Sequence, residues 1–396
     1  MKRNRESGQA LVFVGLGMVV LIGVIGLSID MGYLRYTKRR LQTAADSAAV
    51  AGASELQDGN YQLAANNDSR SNGFENGVNG VSVIAYHPPK DAPFASKANA
   101  VEVQVQQNAP TFFMRIFGVK TALLGATAVA ELGSSKGCVY SLNLLGGITV
   151  NGNVNASGCG VVDNAILSIG GGGCITASSI GVVLQLLGTG CVNPPPNLGI
   201  APSADPLAYL VPPGVPGCPS FKTVVVNNNN GAAPIVLKPG VYCGGIQILN
   251  TNTAPVIFQP GIYYITGGAG LQVGGSGDVS GTGVFFYVTG GAQVNIGGSG
   301  NIALVAPTIS PTPGVPGGVL FFQDRGDTRD ATISGKLSLA GALYFPNAGL
   351  TMGGNASSPY TIIVAQVVRF NGNTSIGSDY TSLSEGSPIK AAVLVQ

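Results

Sequence analysis

The sequence predicts a membrane-anchored chain of mixed class: a transmembrane helix extended into a small α+β domain, then a Gly-rich all-β domain built as a parallel β-solenoid. Three observations carry this. Residues 10–29 form an apolar run of twenty with no charge and no proline, and the remaining chain holds no second one. A stripe of small apolar side chains follows at helical spacing. From Cys138 onward, short β-branched and aromatic runs alternate with Gly, Asn and Ser, and several recur 21 to 23 residues apart.

Twenty residues at about 1.5 Å rise reach about 30 Å, the thickness of a hydrocarbon core. A cleavable signal peptide has a shorter apolar core and small residues before its cut. Here the leader 1–9, with Lys2, Arg3 and Arg5, precedes a longer core, and Asp30-Met-Gly-Tyr33 follows it in place of an A-x-A site. An uncleaved anchor therefore fits better than a processed leader or a buried core helix. Basic residues flank both ends, with Arg35, Lys38, Arg39 and Arg40 beyond the span, so charge does not orient it.

Cysteine supplies the orientation. All six, Cys138, Cys159, Cys174, Cys191, Cys218 and Cys243, follow residue 137, and no CxxC occurs among them. An even number of widely spaced cysteines in an exported chain favours disulfides over zinc or redox motifs, although six allow fifteen connectivities. Buried free thiols in a reducing compartment are the alternative. The disulfide reading places the N-terminus inside and the bulk outside the cytoplasm, in the periplasm or at the surface.

Residues 30–136 read as the small α+β domain. Leu41, Ala44, Ala45, Ala48, Ala49, Gly52, Ala53 and Leu56 continue the helix to about Leu56. A stripe this small permits close backbone approach, either to the helix's own domain or to neighbouring subunits. Asn72-Gly73 and Asn76-Gly77 turns lead to a strand at Val81-Ser-Val-Ile84, and Val101-Glu-Val-Gln-Val-Gln106 alternates as a half-buried strand does. Phe112-Phe-Met-Arg-Ile-Phe117 is an apolar turn or short helix, and a last strand begins at Thr121. A long helix followed by a few antiparallel strands has a pilin-like outline.

Residues 137–396 read as the Gly-rich domain, and from Cys138 onward the chain holds 45 of the 60 glycines. Pro239-Gly-Val-Tyr242 returns as Pro260-Gly-Ile-Tyr263, and Val273-Gly-Gly-Ser-Gly-Asp-Val279 returns as Ile296-Gly-Gly-Ser-Gly-Asn-Ile302. Gly283-Val-Phe-Phe286 is echoed from Gly318. A period in the low twenties suits one solenoid coil, with Asn-rich stretches such as residues 227–230 at the corners. A β-sandwich is the alternative. The proline-dense insertion 194–216, bracketed by Cys191 and Cys218, reads as a wrapped loop between two parts of this domain, and 307–316 as a second break.

Few groups for chemistry remain. The one histidine, His87, precedes Pro88-Pro89 in the small domain and reads as a loop residue. Asp324, Asp327 and Asp330 form the acidic cluster of the β region. Three carboxylates at such spacing are weak candidates for a cation site or a catalytic pair, because Arg325 and Arg329 neutralise the loop from within. No catalytic residue, metal or cofactor is expected. The Gly-rich strings lack the GK[ST] ending of a phosphate loop. Net charge is +2 and residues 138–396 carry 7 basic against 8 acidic side chains, so nucleic acid is not an expected partner.

Glu6-Ser-Gly-Gln-Ala10, the apolar span, Ser28-Ile-Asp30-Met-Gly-Tyr33 and Leu41-Gln-Thr-Ala-Ala-Asp46-Ser-Ala-Ala-Val-Ala-Gly52, in that order, resemble the TadG-like N-terminal region of the Tad (Flp) pilus-assembly family. Phe112-Phe-Met-Arg-Ile-Phe-Gly118 is similar to the same family's membrane-distal portion, and Pro239-Gly-Val-Tyr242-Cys-Gly-Gly245 to the Gly-rich extension some members carry. The resemblance implies a bacterial inner-membrane structural or accessory protein, not an enzyme, with other pilus-assembly subunits or pilins as partners. Pilins of such systems are cut after a Gly with Glu at the fifth following position. After Gly8 that position is Phe13, which implies an intact tether. The expected role is an extracytoplasmic β domain held for adhesion or assembly contacts, including cell wall or surface glycans. The alternatives are a tethered β-helix enzyme acting on polysaccharide and a surface or biofilm matrix protein.

Overall fold

A computed structural model describes residues 7–56, 59–91, 93–95, 97–134, 137–227, 233–249, 254–384 and 386–395. The basic residues Lys2, Arg3 and Arg5 and most of the Asn-rich run at 227–230 lie outside these. The chain forms two units, Met1–Gly133 with Lys390–Gln396, and Ser134–Ile389.

In the first unit, α1 (Ser7–Ser54) is a single helix of 48 residues with two characters. From Val12 to Ile29 it is exposed along nearly its whole circumference, and the helix is long and apolar enough to cross a membrane. A helix apolar all round belongs in a nonpolar surround. From Leu41 onward the small stripe is consumed within its own unit. Leu41, Ala44, Ala45, Ala48, Ala49 and Ala53 are fully buried in one cluster with Ala65 of α2 (Tyr61–Ser71) and Val101, Val103 and Val105 of the sheet. Of the two expectations for this stripe, the structure shows packing on the helix's own domain. Gly52 fits where a Cβ would come within 3.2 Å of both the Tyr61 carbonyl and Val101.

The sheet runs β1 (Val81–Tyr86), β2 (Ala100–Pro110), β3 (Thr121–Ser134), then the C-terminal strand Lys390–Leu394. β1 and β3 both pair antiparallel with β2, with Val83 opposite Val105 and Val105 opposite Ala126. Two elements depart from the sequence expectation. α2 buries only Ala65 and Ser69 among its described side chains, so its apolar stripe is too thin to register as periodicity. The final strand lies inside the range 137–396 expected for the β domain, but hydrogen bonding places it in the first unit's sheet.

The second unit is a β-solenoid of about ten turns. Every described strand pair in its ladders is parallel, as between Gly261–Thr266 and Val284–Thr289, which excludes the β-sandwich alternative. Three ladders make three faces. One passes through Gly240–Tyr242, Gly261–Thr266, Val284–Thr289 and Val319–Gln323. A second passes through Ile246–Ile248, Leu271–Val273 and Val294–Ile296, and a third through Ile235–Leu237, Val256–Phe258, Val279–Thr282 and Asn301–Val305. The repeats set the register where Val273 meets Ile296 and Val279 meets Ile302, each 23 residues on. The Pro-Gly-x-Tyr repeat, spaced 21, slips by two, because Gly240 lies opposite Tyr263.

Stacking order is not chain order. Strand Thr361–Phe370 pairs with Gly137–Ser141 and Ile148–Val150, and Asn373–Ile376 pairs with Asn153–Asp163. The chain thus enters in mid-stack and builds outward through Cys174–Val182 to Cys191–Asn193. It then runs back along the outside through the proline-dense segment and starts again at Val224–Val226, advancing until residues 361–376 meet the entry coils. The outer side of the first face explains why Val284-Phe-Phe-Tyr-Val288 is apolar without alternation. Phe285, Tyr287, Phe322 and Tyr344 are covered by Leu207 and Leu210 of this strap, so both sides of the strands are buried. Inside, the rings of Phe286 and Phe321 stack at 4.9 Å, and Phe345 lies 6.2 Å beyond.

Candidate functional site

The two sequence motifs of the first unit, 82 to 84 residues apart, meet at one carboxylate. Asp30 lies on α1 immediately after the span and is inaccessible to solvent. Its Oδ1 accepts the Phe112 N–H at 2.8 Å, and its Oδ2 accepts those of Phe113 and Met114 at 2.9 and 2.6 Å. These donors open a single 3₁₀ turn, Met114–Phe117, whose first N–H groups have no partner within the turn. A carboxylate at that end is a strong acceptor, because each bond is charge-assisted. Gly118, in the left-handed region at φ 89°, closes the turn.

Flanking residues fit the same contact. Tyr33 meets Phe112 edge-on at 5.1 Å between ring centres. Phe113 lies on Gly26, where a Cβ would come within 2.6 Å of the ring. The Asp-x-Gly motif and the Phe-Phe-Met segment are thus two halves of one device. Both motifs are visible in the sequence, but no local pattern joins residues 82 to 84 positions apart.

In the second unit, the six cysteines form three bridges in chain order: Cys138–Cys159, Cys174–Cys191 and Cys218–Cys243, with Cα atoms 5.7, 4.5 and 5.9 Å apart. Cys174 and Cys191 are also register partners on adjacent coils. The third bridge ties the strap's far end to the coil carrying Tyr242. Parallel stacking explains the pairing, because it brings residues one coil apart into neighbouring positions.

Asp324, Asp327 and Asp330 do not converge. Asp324 accepts from the Tyr287 hydroxyl at 2.5 Å and the Gly326 N–H at 2.8 Å. Asp327 accepts the Gly291 N–H at 2.9 Å. Asp330 accepts the Gly349 N–H at 2.8 Å and pairs with Arg369 at 3.6 Å. Among the described residues no group of three or more His, Cys, Asp or Glu side chains is placed to hold a metal ion. Arg325, expected to neutralise this loop, instead clamps the strap. It donates to the carbonyls of Leu210, Leu207 and Ala208 and to the Tyr344 hydroxyl, which in turn donates to Asp205 at 2.6 Å. Burial and that carboxylate push the Tyr344 hydroxyl well above the usual phenol range. His87 lies 3.0 Å from the Ala100 carbonyl and against the Tyr61 ring, a structural contact in the small unit.

One buried acid escaped the sequence reading. Asp163 is fully buried, with Oδ2 accepting from Ile148 N–H at 2.8 Å and Oδ1 from Ala165 N–H at 3.0 Å. Burial raises its carboxyl above the usual range, against the lowering effect of these bonds. Gly147 is required beside it, since a Cβ there would come within 2.6 Å of both oxygens. The available signal was a lone Asp after Val161-Val162 in an apolar strand.

Comparison with known proteins bears on the first unit. The Flp pilus-assembly TadE/G-like family matches residues 8–55, and the Tad-like Flp pilus-assembly family matches residues 36–130. No curated protein and no solved structure matches the chain. The two matched regions contain the apolar span, Asp30 and the Phe112–Met114 donors it holds. Residues 8–130 of this chain are thus similar to the TadE/G-like and Tad-like Flp pilus-assembly families, and the same chain carries a disulfide-bridged β-solenoid after them.

Proposed function

We propose that the chain is a single-pass inner-membrane structural component of Tad pilus assembly that holds its solenoid outside the cytoplasm for adhesion or assembly contacts. The carrying observation is the pairing of all six cysteines within the solenoid unit. Such bridges persist in oxidising compartments. The span then has its N-terminus in the cytoplasm, and the solenoid meets pilins, cell wall or surface glycans. A structural role is supported further by the acidic loop, whose three carboxylates are each tied to a separate backbone donor.

Protease treatment of intact and permeabilised cells, with and without reductant, tests the orientation. Cleavage of the solenoid from outside, accelerated by reductant, is expected; protection until the cytoplasm is opened would overturn it. The role is tested by replacing residues 135–389 with a short flexible linker. The C-terminal strand must be kept, because it belongs to the first unit's sheet. Membrane insertion should survive and pilus-dependent attachment should be lost; unchanged attachment removes the adhesive role.

A further inference from the structure

The loop held by Asp30 carries more apolar surface than its docking uses. Phe113 faces α1, but Ile116 and Phe117 are 79% and 74% exposed, and Leu123 nearby is 66% exposed. Two adjacent exposed large apolar residues on a one-turn helix have no role in the unit's core, which is built from other residues. Their placement along α1 is defined by the contacts already described. Phe113 lies at Gly26, and Phe113 and Met114 donate to Asp30. Gly26 to Asp30 is the end of the apolar span, about 6 Å of helix.

We infer that the Met114–Phe117 turn is a second membrane contact, a wedge whose Ile116 and Phe117 side chains enter the lipid leaflet beside the end of the span. This rests on the reading of residues 10–29 as membrane-spanning. The occupant follows from continuity: the exposed apolar side chains of α1 up to Ile29 already require a nonpolar surround, and the turn is docked at that same level. Charge agrees. Arg115 and Lys120 flank the wedge and Arg35 lies just past the span on α1; all three are exposed, and none forms an ion pair among the described residues. Basic side chains around an apolar tip suit the phosphate level of an anionic leaflet. The wedge would fix the rotation and depth of α1, which a smooth apolar cylinder alone leaves free. Asp30 then has a clear purpose, because the turn's free N–H groups could not be left unsatisfied beside lipid.

The chain contains no tryptophan, so one introduced indole reports alone. F117W should be made in the full chain and reconstituted at low protein density into vesicles of phosphatidylethanolamine and phosphatidylglycerol. V19W, inside the span, and F221W, exposed on the solenoid unit, serve as references. The wedge predicts that F117W emits to the blue of F221W and loses most of its emission when the acyl chains are brominated. Iodide in the buffer should quench F221W and spare F117W. Emission from F117W that is red and iodide-quenched, while V19W is quenched by bromine, overturns the wedge and leaves the span intact. A blue emission insensitive to bromine means that protein covers the turn, which also overturns it. Failure of V19W itself to be quenched by bromine overturns both readings.

Discussion

The first unit is locked at a point, whereas the solenoid is held by repetition. In the first, one carboxylate gathers three backbone donors from a segment more than 80 residues away. In the second, each coil rests on its neighbours through similar apolar side chains, and even a break in chain order, where Ile363 meets Val139, continues the ladder. Stacked repeats of this kind behave as near-neighbour systems, in which damage stays local. The difference teaches where single residues matter. A point lock fails entirely when its one acceptor is removed; a stack loses one layer's contribution.

The largest effect is therefore expected at Asp30. In Asp30→Ala the three N–H groups lose their acceptor and the 112–119 loop should undock. Limited trypsin digestion would then cut fastest at Arg115 or Lys120, while far-UV circular dichroism of the solenoid stays unchanged. Asp30→Asn, which keeps one acceptor oxygen, should be intermediate. Wild-type cleavage in both variants would break the comparison, since the lock would then be dispensable.

Phe321→Ala asks the same of the stack. Removing a fully buried ring between Phe286 and Phe345 should cost about 3–5 kcal/mol. The β signature should nevertheless persist at room temperature, with a lower melting temperature, because the flanking coils keep their partners. Collapse of the whole unit would show that the coils are more strongly coupled than the ladder implies.

Asp163→Asn is a smaller lesion of the solenoid that resembles the first unit's device. The amide nitrogen must face a backbone N–H that the carboxylate now accepts, at a cost of about 1–3 kcal/mol. The sign of its pH dependence follows from burial. A carboxyl raised in the folded state contributes stability that is fully present below its unfolded pKa, about 3.9, and lost as pH rises through the folded value. The gap between wild type and variant in denaturant titrations should therefore narrow as pH rises. A gap that widens would contradict the raised pKa.

How legible these features were depends on sequence distance. The span, the small-residue helix and the coil period repeat at short range, so composition and spacing reveal them. The disulfide pairing becomes legible only once coils stack, since Cys174 and Cys191 are neighbours solely through the ladder. The C-terminal strand and the reversed stacking order are long-range choices with no local mark. Asp30 was visible as a motif residue, but its role depends on N–H groups whose lack of partners is set by a turn far along the chain. Conversely, the Asp324–Asp330 cluster is conspicuous in sequence but shares no common point, because Asp324 and Asp327 bond to Tyr287 and Gly291 on one coil and Asp330 to Gly349 on another.

The smallest effect is expected at Arg369, and it closes the comparison from the other side. Its pair with Asp330 is 3.6 Å long, with side chains 43% and 60% exposed, so water screens it and Arg369→Ala should cost no more than about 1 kcal/mol. Asp330→Ala should cost more than that, although it breaks the same ion pair, because Asp330 also accepts the Gly349 N–H at 2.8 Å. Thermal melts of the two single variants and the double variant separate these contributions. Equal effects in the two single variants would mean that the ion pair alone matters. The expected inequality carries the lesson of Asp30 into the solenoid: in this chain a carboxylate matters according to the backbone donors it holds, and its opposite charge is secondary.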